Sequence, residues 1–165
     1  MHYWRVAARA GHARAQFYLG TCYDTGNGVS KNIRTAHHWY LLAAENDHEV
    51  AQYNVAFNLR EGQGCKKDLA QSFSWMLRAA NNGDIDACRD LGFAYHEGVG
   101  TAIDYKLASI WYHAAAKCGD AKAQWNLGLC YQDGHGVVKS RRWARYWFRK
   151  AASAGHVLAR KKVAS

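Results

Sequence analysis

Apolar side chains in this chain recur with the spacing of one helix face. Ala15, Leu19 and Tyr23 follow one another at i, i+4 and i+8, which predicts a helix that buries one side. The residue that opens this pattern returns at intervals of 36: Ala15, Ala51, Ala87, Ala123 and Ala159. This periodicity indicates tandem copies of one unit, and such repetition outweighs local propensity in predicting the fold.

A second apolar segment follows in every copy. It carries a Trp four residues ahead of an Ala-Ala pair, and these residues are Trp39, Trp75, Trp111 and Trp147. In one copy Ala108, Trp111, Tyr112 and Ala115 share a helix face, so each unit is predicted to contain two helices. The Ala-Ala pair has little bulk, which allows neighbouring helices to approach closely.

Glycines mark the predicted helix ends. A Gly-x-Gly sequence follows the first helix of each unit, beginning at Gly26, Gly62, Gly98 and Gly134. Because glycine adopts positive φ at little cost, this motif is predicted to end the helix and turn the chain. Gly83, Gly119 and Gly155 follow the second helix, whereas Asp47 takes that place in the first copy and tolerates the turn less well.

One helix pair cannot bury its own apolar faces, but stacked pairs form a continuous core. We therefore predict an all-α protein, a right-handed α-solenoid of helix-turn-helix repeats of about 36 residues. A single array is expected over residues 1–165: the second half of a repeat at 1–14, full repeats at 15–50, 51–86, 87–122 and 123–158, and the start of a fifth at 159–165. The exposed half-repeats leave self-association through the ends open.

The motifs resemble those of a known family. The sequence A-Q-x-x-L-G-x-x-Y-x-x-G-x-G-V, at residues 15–29 and 123–137, resembles the Sel-1-like repeat, a relative of the tetratricopeptide repeat. The W-Y/F-x-x-A-A sequences beginning at Trp39, Trp111 and Trp147 resemble the same family. The second copy departs most from the pattern, with Ala56 for Gly, Leu59 for Tyr and Cys65 for Val.

This resemblance implies a binding scaffold. Members look like adaptors in signalling, quality control and bacterial host contact, and some resemble immunity proteins that neutralise toxic effectors. One secreted branch of the family joins each helix pair by a disulfide. Cys88 has the place of its first cysteine, but the partner place holds Ala116, and Cys118 lies two residues further on. We therefore expect no such disulfide.

Solenoids bind along the concave surface that the first helices line, so the partner site is expected there. With Ala15, Leu19 and Tyr23 on the core side, helical spacing gives a second stripe in each unit. The candidate binding residues on this stripe are Phe57, Phe93, Trp125, Tyr53, Phe17, Arg60, Arg89, His96, Leu129 and Gln132. Aromatic residues with charges around them are typical of interface centres. For Phe57 and Phe93 the sequence favours binding, whereas for Phe17, Tyr53 and Trp125 it favours packing against the neighbouring helix.

The net charge of +9 equals the nine Lys and Arg residues at 139–165, a segment without Asp or Glu. Arg141, Arg145 and Arg149 form one stripe at i, i+4 and i+8. This stripe is a solvated helix face or a secondary contact for an acidic protein partner. Nucleic acid is disfavoured because no recognised nucleic-acid motif accompanies the charge.

Five cysteines without a C-x-x-C pair disfavour a zinc or thioredoxin-type site and suit a reducing compartment. No apolar run approaches the ~18 residues that span a bilayer, and the N-terminus has no secretory-type stretch. A cytoplasmic location is therefore favoured. A periplasmic or secreted location stays open if an N-terminal segment has been removed.

No pattern of residues predicts catalysis. Gly-x-Gly occurs in every unit between helices and is interpreted as a turn, because a nucleotide-binding loop occurs once, after a strand. His12, His48 and His156 lie a full unit or more apart, so no metal or cofactor is expected. We predict a protein or peptide-binding scaffold and no enzyme. The alternatives are an immunity-type protein and an enzyme with a hidden cross-repeat site, such as His96 with Glu61.

Overall fold

The computed structural model describes residues 2–164, with side chains for residues 3–163. This part of the chain contains ten α-helices and no strand. The helices are α1 (His2–Arg9), α2 (Ala13–Thr25), α3 (Ile33–Glu45), α4 (Glu49–Glu61), α5 (Leu69–Asn81), α6 (Ile85–Glu97), α7 (Tyr105–Lys117), α8 (Ala121–Asp133), α9 (Arg141–Ser153) and α10 (Val157–Ala164). The all-α class and the repeat of about 36 residues are confirmed, since helix starts recur at that step from α2 to α10.

The chain divides into two compact units, Met1–Asp84 and Ile85–Ser165. In the first unit α1 to α5 pack in chain order, each on the next, and in the second unit α6 to α10 do the same. The predicted Ala-Ala pairs line both cores: Ala43 and Ala44 are fully buried, and Ala115 and Ala116 nearly so. Small side chains at these places allow the close helix packing that the sequence indicates.

The helix ends follow the predicted chemistry. The second helices of the repeats begin at polar caps, and the side chains of Asn32, Asp68, Asp104 and Ser140 each accept from the backbone N–H three residues later. Gly26 ends α2 in the left-handed region, with φ 82°, and donates its N–H to the Cys22 carbonyl. Asp47, with φ 59°, adopts the same region without being glycine, as its place in the pattern predicts.

In three of the four repeats a ring on the second helix fills the space beside a glycine on the first. A Cβ added to Gly20 would lie 2.5 Å from Cδ1 of Tyr40, and one added to Gly128 would lie 2.5 Å from Cε1 of Phe148. Both rings are 4% exposed, so an added methyl group would have to displace a buried ring. The first helix therefore lies so close to the second that only glycine fits between them. Gly92 has the same relation to Tyr112.

The second repeat replaces both members of this contact. Ala56 stands where the other repeats have glycine, and Met76 stands where they have a ring. Both residues are buried. A methionine side chain is narrow and flexible, which leaves room for the extra methyl group of Ala56. Ala56 thus departs from the repeat pattern together with Met76, which lies 20 residues later.

In several repeats a buried glutamine near the start of the first helix forms hydrogen bonds to neighbouring helices. Gln16 Nε2 donates to the Ala8 carbonyl at 3.1 Å, and Gln16 Oε1 accepts from Asn46 Nδ2 at 3.0 Å. In the next repeat Asn82 Nδ2 donates to Gln52 Oε1 at 2.9 Å. In the third repeat Cys88 replaces the glutamine and Cys118 replaces the asparagine. Cys88 is buried and Cys118 is exposed. That the pair forms no disulfide stays a prediction.

In the fourth repeat one of these hydrogen bonds is missing. Gln124 Nε2 donates to the Ala116 carbonyl at 3.1 Å, but its Oε1 is buried without a hydrogen-bond partner. The reason lies 30 residues later, where Ala154 replaces the asparagine of the earlier repeats. A buried carbonyl oxygen left without a donor lowers the stability of the fold.

Gly128→Ala tests the ring contact. Overpacking of a buried contact costs about 1–3 kcal/mol, and the higher helix propensity of Ala returns less than roughly 1 kcal/mol. We expect the free energy of unfolding to fall by about 1 kcal/mol in chemical denaturation. Adding Phe148→Met, which copies the second repeat, is expected to make the double variant more stable than the sum of the two single losses predicts. Additive losses would show that the two positions do not interact.

Ala154→Asn tests the unpaired oxygen of Gln124. Ala154 has φ −81° and ψ 6°, close to the −84° and 3° of Asn82, so an asparagine fits the backbone there. A new hydrogen bond to Gln124 Oε1 is expected to raise the free energy of unfolding by about 1 kcal/mol. The control is the same substitution in a Gln124→Met background, where the gain should disappear. An equal gain in both backgrounds would assign it to helix capping alone.

Candidate functional site

The predicted binding residues of the first unit lie on α2 and α4. Phe17 is partly buried because its ring stacks on His48, with centroids 4.3 Å apart, and lies 5.6 Å from the ring of Tyr40. His48 also caps α4, since its Nδ1 accepts from the Ala51 N–H at 3.3 Å. Burial lowers the pKa of His48, which favours the neutral form that this acceptor role requires. Phe17 thus packs inside its unit.

The remaining predicted residues of this unit are also partly buried. The guanidinium carbon of Arg60 lies 5.3 Å from the Phe57 ring centroid, a cation–π arrangement. Arg60 Nε donates to Glu61 Oε1 at 2.9 Å, so the carboxylate and the ring both restrain this arginine. Tyr53 is partly buried on α4 as well. Phe57 and Arg60 therefore form one ordered pair at the end of the helix.

In the second unit, α6 carries Arg89, Phe93 and His96. Arg89 is held by three carboxylates: Asp86, Asp90 at 3.0 Å and Asp120 at 3.1 Å. Burial opposes the charged form, but the charge of Asp90 and the hydrogen bond to Asp86 outweigh it and raise the pKa of Arg89. Phe93, one turn further on, is 48% exposed.

His96 belongs to an aromatic cluster that the sequence did not indicate. Its Nδ1 lies 2.7 Å from Glu97 Oε1 and its Nε2 lies 3.2 Å from His135 Nδ1. The Tyr105 ring stacks on His135, with centroids 4.4 Å apart. The suggested partner Glu61 lies in the other unit, where it accepts from Arg60. Among residues 2–164, no three His, Cys, Asp or Glu side chains are grouped to hold a metal ion.

Trp125, on α8, packs like Phe17. Its ring stacks on His156 with a centroid distance of 5.0 Å and lies 4.9 Å from Phe148. His156 Nδ1 accepts from the Ala159 N–H at 3.2 Å, so this histidine also caps the following helix. Burial lowers the pKa of His156, again favouring the neutral acceptor. Leu129, on the same helix, is partly buried.

Three repeats therefore pair the same two places. The fifth residue of the first helix contacts the residue that precedes the next first helix: Phe17 with His48, Arg89 with Asp120, and Trp125 with His156. Each pair is 31 residues apart, and aromatic residues meet histidine whereas arginine meets aspartate. These residue types recur in the sequence at the 36-residue period, but only the structure shows that the two repeat positions are in contact.

A cavity of about 390 Å³ lies in the second unit between α8, α9 and α10. Four of its lining residues are basic, and two of the others, Ala144 and Phe148, are buried. The lining is Gln132, Arg141, Ala144, Arg145, Phe148, Arg149, Lys162 and Val163. The predicted basic stripe and the predicted Gln132 thus meet at one site. Sequence analysis did not identify Phe148, Lys162 or Val163, because the placement of α10 was unknown.

No helix in the described part of the chain is both long and apolar enough to cross a bilayer. The binding roles of the ten stripe residues and of the three arginines stay predictions. The structure shows that Phe17, Arg89 and Trp125 are engaged in packing or ion pairs, whereas Phe93 is half-exposed.

Comparison with known families matches the Sel1 repeat to residues 13–48, 50–84, 85–120 and 121–156. No curated protein sequence matches the chain. Among solved structures, a Sel1 repeat protein from Oxalobacter formigenes is 36% identical, with a TM-score of 0.89 over 97% of this chain and 66% of its own. The chain is also 35% identical to c5321, a protective antigen present in uropathogenic Escherichia coli strains that displays an SLR fold. The TM-score is 0.94 over 99% of this chain and 35% of that one.

A more distant likeness is to the immunity protein Pa5087 from Pseudomonas aeruginosa, at 23% identity and a TM-score of 0.54 over 94% of this chain and 58% of that one. At this identity the likeness bears on the fold alone. The chain spans just under two thirds of the Oxalobacter protein and about one third of c5321. The predicted class, a Sel1-like array of helix-turn-helix repeats, is confirmed by these matches.

Proposed function

The chain belongs to the Sel1 repeat family, a protein-interaction fold, and on that premise we propose that it is a scaffold that binds a partner protein through the predicted stripe of its first helices. Sel1 repeat proteins bind other proteins and are generally not catalysts. The specific partner surface proposed for the second unit is the exposed part of α6 around Phe93, with the basic cavity as a secondary contact.

The observation that supports this surface is the exposure of Phe93. It is 48% exposed on a helix whose neighbouring residue Arg89 is fixed by three carboxylates. A large apolar ring on a rigid element loses little conformational entropy when a partner covers it. Aromatic anchors of this kind, surrounded by polar groups, contribute a large share of binding energy in protein interfaces.

The basic cavity supports a partner with acidic character. Arg141, Arg145 and Arg149 lie on successive turns of α9 and face the same space. Positive charges at the edge of an interface accelerate association with an acidic partner and disfavour basic ones. The cavity is therefore proposed as the element that orients the partner, and Phe93 as an anchor.

Phe93→Asp is the direct test of this surface. A buried aspartate at the interface would have no counter-charge, so the amount of partner retained by the purified chain from its native lysate is expected to fall at least tenfold. Ile110→Asp on α7 is the matched control, because Ile110 is an apolar residue of similar exposure, 53%. Mass spectrometry identifies the retained proteins, and circular dichroism checks the fold of both variants.

Loss of the partner from the Phe93 variant with retention by the Ile110 variant supports the scaffold and locates one contact. Equal retention by both variants would contradict the assignment of α6 as the binding surface. Equal loss from both would place the contact elsewhere or show that any added charge disturbs binding.

An alternative partner is a toxic effector, which would make the protein an immunity protein. The likeness to Pa5087 concerns the fold alone, so it does not favour this role. Stoichiometric inhibition of a retained enzyme by the purified chain would establish an immunity role. Several retained partners without inhibition would support an adaptor. Turnover of a small substrate by the chain alone would support the enzyme alternative instead.

A further inference from the structure

The basic cavity of the second unit contains charges that the fold itself does not use. No ion pair among the described residues involves Arg141, Arg145 or Arg149. The sequence from 134 to 165 also contains no Asp or Glu. Like charges at i and i+4 on a helix repel each other, so the stripe lowers helix stability. By contrast, Arg89 in the same unit forms ion pairs with three carboxylates and so contributes to the fold.

The other repeats have no counterpart of this stripe. The equivalent places, counted back in steps of 36, hold apolar, hydroxyl or imidazole side chains and no Lys or Arg. These residues are Ile33, His37 and Leu41 in α3, Leu69, Phe73 and Leu77 in α5, and Tyr105, Ser109 and His113 in α7. Repeat packing therefore does not require arginine there. A merely solvated face would also be expected to mix both signs of charge.

The floor of the cavity is apolar. Ala144 and Phe148 are each 4% exposed, and Val163 lines the space from α10. Lys162 Nζ lies 4.8 Å from the Phe148 ring centroid, so this ammonium covers one side of the ring. The volume of about 390 Å³ lies in the range of sites that enclose small ligands or a few side chains. The site thus presents three guanidinium groups above an apolar floor.

The spacing of the arginines matches an extended peptide. Residues four apart on a helix lie about 6 Å apart along its axis. Alternate residues of an extended strand lie about 6.6 Å apart and point to the same side. Carboxylates at alternate positions of such a peptide can therefore meet Arg141, Arg145 and Arg149 in turn, each through the paired N–H groups that guanidinium offers. Intervening side chains point to the opposite side of the peptide, so an apolar residue faces the cavity only when it lies two places from the last carboxylate.

Nucleic acid fits the site less well. Single-stranded nucleic acids gain much of their affinity by stacking bases on exposed aromatic rings. The one ring in this cavity, Phe148, is 4% exposed and covered by Lys162. The row of three arginines extends over only about 12 Å of helix, which contacts few phosphates. A short acidic peptide uses the charges and needs only one apolar contact, which Val163 offers because it is 43% exposed.

We infer that the cavity between α8, α9 and α10 binds an extended acidic peptide segment, with carboxylates at alternate positions on Arg141, Arg145 and Arg149 and one apolar side chain against Val163. The inference rests on the proposed function, because it specifies the chemistry of the partner at the secondary contact. It is independent of the role of Phe93.

The test uses a fluorescent peptide with blocked ends, in which three glutamates alternate with small residues and a leucine takes the next alternate position. Binding to the full chain is measured by fluorescence anisotropy at low and physiological salt. Three competitors are used: a peptide of the same composition with the glutamates consecutive, a peptide with glutamine for glutamate, and a single-stranded oligonucleotide of equal charge. Sedimentation of the chain without peptide reports its oligomeric state.

Arg145→Gln removes the central guanidinium and is expected to raise the dissociation constant about tenfold. Arg142→Gln is the matched control, because Arg142 is exposed on the same helix but does not line the cavity. This control should change the dissociation constant less than about twofold, as expected for a distant, screened charge. Thermal unfolding of both variants checks that the fold is intact.

Tighter binding of the alternating peptide than of the other two peptides, with loss in the Arg145 variant alone, supports the inference. Equal effects of the two substitutions, or equal binding of the consecutive peptide, would overturn it. So would preferential binding of the oligonucleotide, or a dimer in sedimentation that Arg145→Gln dissociates, which would make a second copy the occupant. Absence of peptide binding together with Phe93-dependent partner retention would reject this inference and leave the scaffold function in place.

Discussion

The helix pairs of this structure depend on the contact between a glycine on the first helix of a repeat and a ring on the second, which three repeats share. Gly20 with Tyr40, Gly92 with Tyr112 and Gly128 with Phe148 leave no room for a methyl group. This contact fixes the distance between the two helices, and the alanine pairs Ala43-Ala44 and Ala115-Ala116 allow equally close packing nearby. Because close-packed helices resist displacement, the side chains on their outer faces keep defined positions. A surface of this kind is suited to recognition without large rearrangement.

The stripe predicted to bind a partner also serves the fold. Phe17 and Trp125 stack on His48 and His156, which in turn cap the following helices. Arg89 reaches Asp120, whose carboxylate accepts from the Ala123 N–H. These pairs link one repeat to the next and engage much of the stripe. The side chains left more open, with Phe93 foremost, are therefore the better candidates for contact with a partner.

Much of the fold could be predicted from the sequence because the same pattern of residues recurs in four repeats. The spacing of Ala15, Leu19 and Tyr23 gave the first helix, and the Trp and Ala-Ala positions gave the second. Asp47 was expected to strain the turn, and it does have positive φ. The exchange of ring for Met76 opposite Ala56 was not predicted, because one sequence does not show which repeat positions touch.

The candidate site could be predicted only in part. The arginine stripe on α9 was visible from its spacing, but the cavity also needs Lys162 and Val163 of α10 and Gln132 of α8. Their meeting depends on helix packing that charge patterns do not encode. The aromatic cluster of His96, Tyr105 and His135 was missed for the same reason, since its members lie up to 39 residues apart.

The central claim is that the partner contacts the stripe of the first helices at its exposed residue, Phe93. Site-specific photocrosslinking tests it most directly, with a benzophenone side chain placed at residue 93 or at residue 110 and the purified partner added. The account predicts a crosslinked product from position 93 and none from position 110. A product from position 110 alone would contradict it and assign the partner to the second helices.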